Sequence, residues 1–479
     1  MSETRHSTGL RIACAVMLAA LLPGCAALGL GSGSLPSDAP RVIGSENPRD
    51  RDHERLVAAF GGEVRAPQAQ RLLTDITNRL VMATDRPDES YRVTILNSPV
   101  VNAFALPNGR LYVTRGLLAL ANDTSEVAAV LSHEIAHVTL RHASQRNEMQ
   151  ARSALIKRVT EDVLNDAEQA AVVQSQARSS LANFSRSQEL EADQTGVKVL
   201  ARAGFDPYGA PRFLTALDRS AGSSRGDSSS AEMMASHPST SERISKALQA
   251  ARRASAPGTG ESGRLEYFAA IDGIPYGDDP ADGVVKGRRF SHARLGVTFE
   301  APEGFTLENT SQAVLGASPD GSKRLLFDAA DTPNGQSLEE VLRSTWSDTI
   351  EPGSLETTTV NGLPVATAVS NGKEWSFRLS AIRIGNTTYR LIMAARSGTG
   401  DLDGMFRRTL DTVRQVQPDE ARQIRPLRLK VVTARDGDTA QSLAETMPVD
   451  RALDRFLLLN GLERNAPLKS GERYKIVVE

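Results

Sequence analysis

Three of the chain's seven histidines, His133, His137 and His142, crowd one short stretch, with Glu134 between the first two in Ser132-His133-Glu134-Ile135-Ala136-His137. On a helix, residues four apart lie about 6 Å apart along the axis and about 40° apart in angle, so both imidazoles of this HExxH sequence point the same way. Two neutral imidazole nitrogens at about 2.0–2.1 Å from one metal favour tetrahedral zinc. Glu134 is placed to reach a water on that metal rather than the metal itself. A chance HExxH has odds on the order of one in 150 at this composition. The surrounding Val127, Val130, Leu131, Ala136, Val138 and Leu140 bury the helix, and buried imidazole and carboxylate groups need partners that a metal supplies. His142, five positions beyond His137, points about 140° away on a continuous helix and reads as a non-ligand.

A catalytic zinc needs a third protein ligand and an open position. Downstream, Ser185-Arg186-Ser187-Gln188-Glu189-Leu190-Glu191-Ala192-Asp193 sets Glu189 and Asp193 four apart on a predicted helix. One carboxylate can ligate while the other holds a histidine's second nitrogen. By itself this pattern would be a solvated acidic face; the upstream HExxH turns it into a candidate site.

The run Asn102-Ala103-Phe104, the HExxH helix and the ExEAD-type motif follow in an order and spacing that resemble the zinc metallopeptidases related to HtpX and the CAAX prenyl proteases, especially the periplasmic BepA-like proteins. The resemblance covers about Arg55 to Leu248. It implies one Zn2+ per chain, with Glu189 as third ligand beside His133 and His137, Asp193 as the outer carboxylate and Glu191 as the poorer ligand candidate. It also implies a zincin-like domain, mainly helical with a small sheet. The family's His-Pro pair and following arginine are matched by His237-Pro238 and Arg243. Two roles are open for His237: donating to the oxyanion of a tetrahedral intermediate, or binding zinc in the vacant position and silencing it. Arg243 could share the first role or fix the local helix. Glu134, as general base, completes the catalytic candidates, and Asn102, Ala103 and Phe104 are the candidate substrate-binding edge for an extended polypeptide.

These groups need rigid elements to position them. A helical pattern starts near Arg55 and continues through Leu72, Ile76, Leu80 and Val81. Tyr91–Leu96 alternates like a strand, and Pro107-Asn108-Gly109 between two short apolar runs predicts a hairpin. A Gln/Ala-rich helical region runs toward Ala182, and Ser/Gly-rich stretches interrupt the chain near 218–230 and 254–263. From Val284 the pattern changes to short strands. Phe377, Leu379 and Ala381, a Gly385-Asn386 turn, then Tyr389, Leu391 and Met393 predict another hairpin, closed by a helix carrying Phe406 and Leu410. His292 stands alone in this α+β module, which has no catalytic constellation.

The 479 residues suffice for roughly three domains. A net charge of -2 and 5% aromatic residues argue against a nucleic-acid partner. Both cysteines, Cys14 and Cys25, precede the body of the chain, which excludes a disulfide, a cysteine-based zinc finger or a thiol nucleophile there. The apolar run Ile12–Leu22 is too short to span a bilayer and fits a signal segment. It ends in Leu22-Pro23-Gly24-Cys25, which resembles a lipoprotein lipobox with Pro23 as a departure. Cys25 is therefore the expected lipid attachment point, and the expected location is the periplasm, at the outer membrane.

The C-terminal stretch reads strand, two helices, strand. Asp436-Gly437-Asp438-Thr439, Asn460-Gly461-Leu462 and Leu468–Tyr474 resemble a LysM domain, whose members commonly bind peptidoglycan-type glycans. The fold class is thus α+β multidomain, with a βααβ unit last. The expected divisions are a signal at 1–25, a tether at 26–52, the peptidase at 53–253, a linker at 254–283, the α+β module at 284–416, a linker at 417–427 and the LysM-like unit at 428–479. The expected function is a zinc endopeptidase of the bacterial envelope acting on misfolded or unassembled proteins. A peptidoglycan-bound scaffold or chaperone with a latent zinc site is the leading alternative, and a peptidoglycan amidase a weaker one.

Overall fold

The computed structural model describes residues 48–150, 167–222, 231–238, 240–310, 312–330, 335–346 and 349–479. The signal segment, Cys25 and the tether up to residue 47 lie outside the described residues. No helix among the described residues is long and apolar enough to cross a membrane.

Helices α1 (Pro48–Ala59) and α2 (Pro67–Met82) lead into a three-stranded sheet of β1 (Arg92–Leu96), β2 (Ala103–Leu106) and β3 (Arg110–Thr114). The sheet order is β1-β3-β2, with β1 parallel and β2 antiparallel to β3, so β2 is an edge. The Asn108-Gly109 turn joins β2 to β3 through a positive φ of 80° at Gly109, a conformation glycine adopts without steric cost. The short helix α3 (Arg115–Leu120) is followed by α4 (Thr124–Thr139), whose residues from Thr124 to Ala136 are all buried. Helix α5 (Ala167–Arg202) packs along α4, and α6 (Gly209–Gly222), α7 (Ala231–Ser236) and α8 (Ser241–Ala254) complete this region.

Part of the stretch expected to be a linker, 254–283, is structured. Residues Arg264–Ile271 form α9, with Tyr267, Phe268 and Ile271 buried in the core, and Pro275–Tyr276 form β4. The apolar run Tyr267–Ile271 drives this: burying two aromatic rings contributes far more than a solvated connection could. The following module contains a seven-stranded sheet and a four-stranded one. The hairpin of β5 (Trp375–Ile384) and β6 (Thr387–Arg396) turns at Gly385-Asn386, with Leu379 opposite Ile392. The closing helix Leu402–Leu410 buries Phe406 and Leu410, and His292 is buried beside Phe290. The expected linker 417–427 also contains a short helix, Pro418–Gln423, held by a capping box at Gln417.

The C-terminal unit has the expected βααβ order: Leu427–Thr433, Ala440–Ala444, Ala452–Leu459 and Arg473–Val478. Its sheet, however, gains β4 as a third strand, with Leu427 opposite Tyr276. Its buried side chains Leu429, Phe456, Tyr474 and Val477 belong to the same apolar cluster as Leu73, Ile76, Val127 and Leu131. Lys475 reaches from the strand Arg473–Val478 to the end of α3, where its buried Nζ donates to the carbonyls of Ala119 at 2.7 Å and Ala121 at 2.6 Å. The unit is thus packed into the helical region of α2 and α4 and shares its core.

Candidate metal centre

The start of α4 is tied down first. Asp123 caps it by accepting from the Glu126 N–H, and Arg212 of α6 bridges Asp123, Glu126 and Asp206. About two turns beyond Glu126 the helix presents His133 and His137 on a common face. Helix α5 approaches that face at Gly196, where a side chain would press on the His133 backbone. This close approach brings Glu189 and Asp193 to the histidines. The segment between α7 and α8 supplies His237, and α8, capped by Thr240, supplies Arg243.

Ligating atoms of His133, His137, Glu189 and His237 all lie within 4.8 Å of one another. His133 Nε2 is 3.0 Å from His137 Nε2 and 3.3 Å from His237 Nδ1. Glu189 stands 3.4 Å from both His133 Nε2 and His137 Nε2, and 3.0 Å from His237 Nδ1. Ligands about 2.0–2.1 Å from a tetrahedral zinc are about 3.3 Å apart, which is the spacing found. The donor set fits for a second reason. His133 Nε2 faces three lone-pair-bearing atoms, and an imidazole nitrogen carries at most one hydrogen. Protons cannot satisfy all three contacts; a cation can.

Around these four groups lies a ring of holding contacts. His133 Nδ1 is 3.0 Å from Asp193 Oδ1. Arg243 grips Asp193 through Nε at 2.7 Å and Nη2 at 2.8 Å, and its Nη1 donates to the Pro238 carbonyl and lies 3.1 Å from Glu189. Arg243 therefore sits behind the carboxylates, with its donors engaged there. Burial opposes charge on Asp193, yet the Arg243 and His133 contacts outweigh it and hold the carboxyl below its ordinary range. Glu189 is also buried, and the facing His237 and His133 hold it well below the usual carboxylate range. Glu134 goes the other way: burial raises its pKa, against the lowering effect of His237 and His133. Its Oε1 is buried without a hydrogen-bond partner among the described residues, and His237 Nε2 lies 3.7 Å away.

The edge strand β2 runs beside this site, and the Ala105 N–H donates to the Glu134 carboxylate. Asn102 and Ala103 are buried, with Asn102 tied through its main chain to the Thr114 hydroxyl. Phe104 stacks on Tyr112 and meets Phe60. A substrate at this edge would meet main chain rather than these three side chains.

His142 is not where helical extrapolation puts it. Helix α4 ends at Thr139, and Arg141 takes a positive φ of 56°. The turned chain brings His142 Nδ1 to 2.9 Å from His137 Nδ1. His142 makes no contact with the cluster's ligating atoms but touches the far side of one ligand. The positive-φ arginine leaves no periodic signal; Gly196, three residues after Asp193 inside a long helix, is the visible sign of a close helix approach.

Residues 67–251 match Peptidase family M48. The chain is 32% identical over 198 residues to the beta-barrel assembly-enhancing protease of Yersinia pestis, covering 39% of this chain and 40% of the relative. It is 29% identical over 221 residues to the protein of that name from Escherichia coli (strain K12), covering 44% and 45%. Against the mitochondrial metalloendopeptidase OMA1 of Arabidopsis thaliana it is 34% identical over 163 residues, covering 34% and 32%. The chain thus spans less than half the length of these relatives. The HExxH helix, the carboxylate helix and the four-group cluster all fall within this one matched stretch, residues 67–251, through which the chain is similar to Peptidase family M48.

Proposed function

We propose that this protein is a zinc-dependent endopeptidase that hydrolyses peptide bonds of misfolded or unassembled envelope proteins. The observation that carries the reading is Glu134: a buried carboxylate of raised pKa, without a hydrogen-bond partner at one oxygen, beside four convergent ligating groups and an open strand edge. His133, His137 and Glu189 would hold the zinc, which supplies Lewis-acid polarisation of a peptide carbonyl and acidifies water at neutral pH. The β2 main chain would align an extended peptide by strand pairing. Glu134 takes the proton of the attacking water and returns it to the leaving amine nitrogen. Asp193, fixed by Arg243, orients His133. Support for an envelope substrate comes from the printed name of the bacterial relatives, beta-barrel assembly-enhancing protease. Export to the periplasm with a lipid on Cys25 at the outer membrane rests on the sequence. Binding of peptidoglycan by the C-terminal unit rests on its LysM-like pattern.

His237 lies within the cluster, its Nδ1 3.0 Å from Glu189. A catalytic zinc needs an open position; this imidazole would either fill it as a fourth ligand or, left uncoordinated, donate to the substrate oxyanion. The test is casein cleavage by the parent with and without chelator, beside Glu134→Gln. Loss of cleavage in both the chelated parent and the zinc-loaded variant is expected; full activity of Glu134→Gln would refute the assignment.

A further inference from the structure

His142 and Glu191 take no part in ligation or proton transfer as described above, yet His142 is completely buried beside a ligand. Its Nδ1 lies 2.9 Å from His137 Nδ1, and its Nε2 lies 3.3 Å from Glu191 Oε2. We propose that His142 and Glu191 are positioning residues that fix the tautomer and ring plane of the ligand His137. This inference rests on the zinc reading of the cluster.

The hydrogen bookkeeping admits one direction. For His137 to offer the Nε2 lone pair to the cluster as a neutral imidazole, its hydrogen must sit on Nδ1. That N–H then donates to His142 Nδ1, which must be the acceptor. The His142 hydrogen is thereby placed on Nε2, from which it donates to the Glu191 carboxylate. The relay runs His137 to His142 to Glu191, whereas at the other histidine Asp193 lies 3.0 Å from His133 Nδ1 and accepts from Arg243. Groups that hold the far nitrogen of a metal-bound histidine typically contribute about 10–100-fold in metal affinity.

Two features show that the fold is built for this contact. Arg141 is one of three non-glycine residues with positive φ among the described ones, a conformation disfavoured by about 1–2 kcal/mol for a side-chain-bearing residue. It is what turns His142 back beneath His137. The carboxylate helix then holds His142 twice, since Gln188 Nε2 donates to the His142 carbonyl at 3.0 Å while Glu191 meets the ring. The spacing Gln188, Glu189, Glu191, Asp193 thus acquires a reason at each position. Glu189 and Asp193 face the cluster, and Glu191, about 160° around the helix from Glu189, catches a histidine that has left α4.

The test uses the full chain and reads zinc affinity by competition with a chromogenic chelator, without substrate. His142→Phe should lose about 10–100-fold in affinity. His142→Gln, whose carbonyl oxygen can still accept from His137, should regain most of that loss. Glu191→Ala, at a half-exposed helix position, should lose a few-fold, and Glu191→Gln less. Thermal unfolding of the metal-free proteins separates a general packing defect from the ligand effect. A folded His142→Phe that binds zinc as tightly as the parent would overturn the inference. If His142→Phe does not fold, an unchanged affinity in Glu191→Ala overturns the relay, and a few-fold loss there that Glu191→Gln lessens supports it. A parent that binds zinc but cleaves no polypeptide would instead defeat the peptidase reading and leave this one standing.

Discussion

Gly196 of α5 lies against the backbone of His133: a Cβ placed there would come 3.1 Å from the His133 nitrogen and 3.2 Å from Ser132 Oγ. Contacts this tight require a neighbour to yield by a few tenths of an ångström, and the neighbour here is the metal helix itself. Gly196→Ala should be tolerated with a small loss of zinc affinity. Gly196→Val should push α5 off α4, carry Glu189 out of reach, and destabilise the fold by about 1–3 kcal/mol. Chelator competition and thermal melts on the two variants measure this, and equal zinc affinity in Gly196→Val would exclude the close approach as the reason for Glu189's placement.

His237→Ala should retain zinc, because His133, His137 and Glu189 remain, while opening the fourth position. Its cleavage of an unfolded substrate should exceed the parent's. A variant that keeps zinc and cleaves more slowly would assign His237 the assisting role instead, as a donor to the oxyanion.

Removal of zinc should lower the melting temperature. A ligand bound only by the folded state stabilises by about 2.7 kcal/mol at a hundred times its dissociation constant. Stripping it also leaves Glu189 and three imidazoles crowded together. Calorimetry with and without chelator should show a downward shift that is reversed by zinc and absent in a His133→Ala, His137→Ala double variant.

Lys475→Met should destabilise the chain by about 1–3 kcal/mol. The substitution keeps the length of the side chain but leaves the Ala119 and Ala121 carbonyls without the ammonium donor they meet, and buried acceptors left unmade are expensive. Burial pushes the Lys475 amine down to about 7, against the raising effect of Glu126, so the parent already bears a desolvation penalty that limits the loss. Urea unfolding measures the difference, and a variant as stable as the parent would mean that these carbonyl contacts contribute nothing net.

The parts legible in the sequence are those encoded by local periodicity. His133, Glu134 and His137 declare themselves because 3.6 residues per turn brings positions four apart together, and Glu189 and Asp193 do so for the same reason. The Asn108-Gly109 and Gly385-Asn386 hairpins follow from turn chemistry. The return of His142 is not legible, because it depends on where α4 stops and on one left-handed residue, Arg141, whose type gives no warning. Arg243 is readable as a candidate but not as the partner of Asp193, since that pairing joins residues fifty positions apart. Helix α9 is hidden by its Ser/Gly/Pro-rich approach, and the shared core of the C-terminal unit is hidden because complementarity between distant surfaces leaves no periodic mark.

The pairing of β4 with the strand Leu427–Thr433 places Tyr276 opposite Leu427, so the chain leaves for the α+β module and comes back at neighbouring points on one sheet. In topological terms the body is a two-part chain closed around a cassette: residues 277–426 begin and end within a strand spacing of each other. An insertion with adjacent ends can be lengthened, exchanged or cut out and replaced by a tight turn without moving the strands that receive it. The metal helix and Lys475, which ties the C-terminal unit to the end of α3, both lie outside the cassette. The architecture therefore lets the module diverge while the centre stays as it is, except where Asp279 accepts from Asn97 and Gly287 donates to Asp450 of the body.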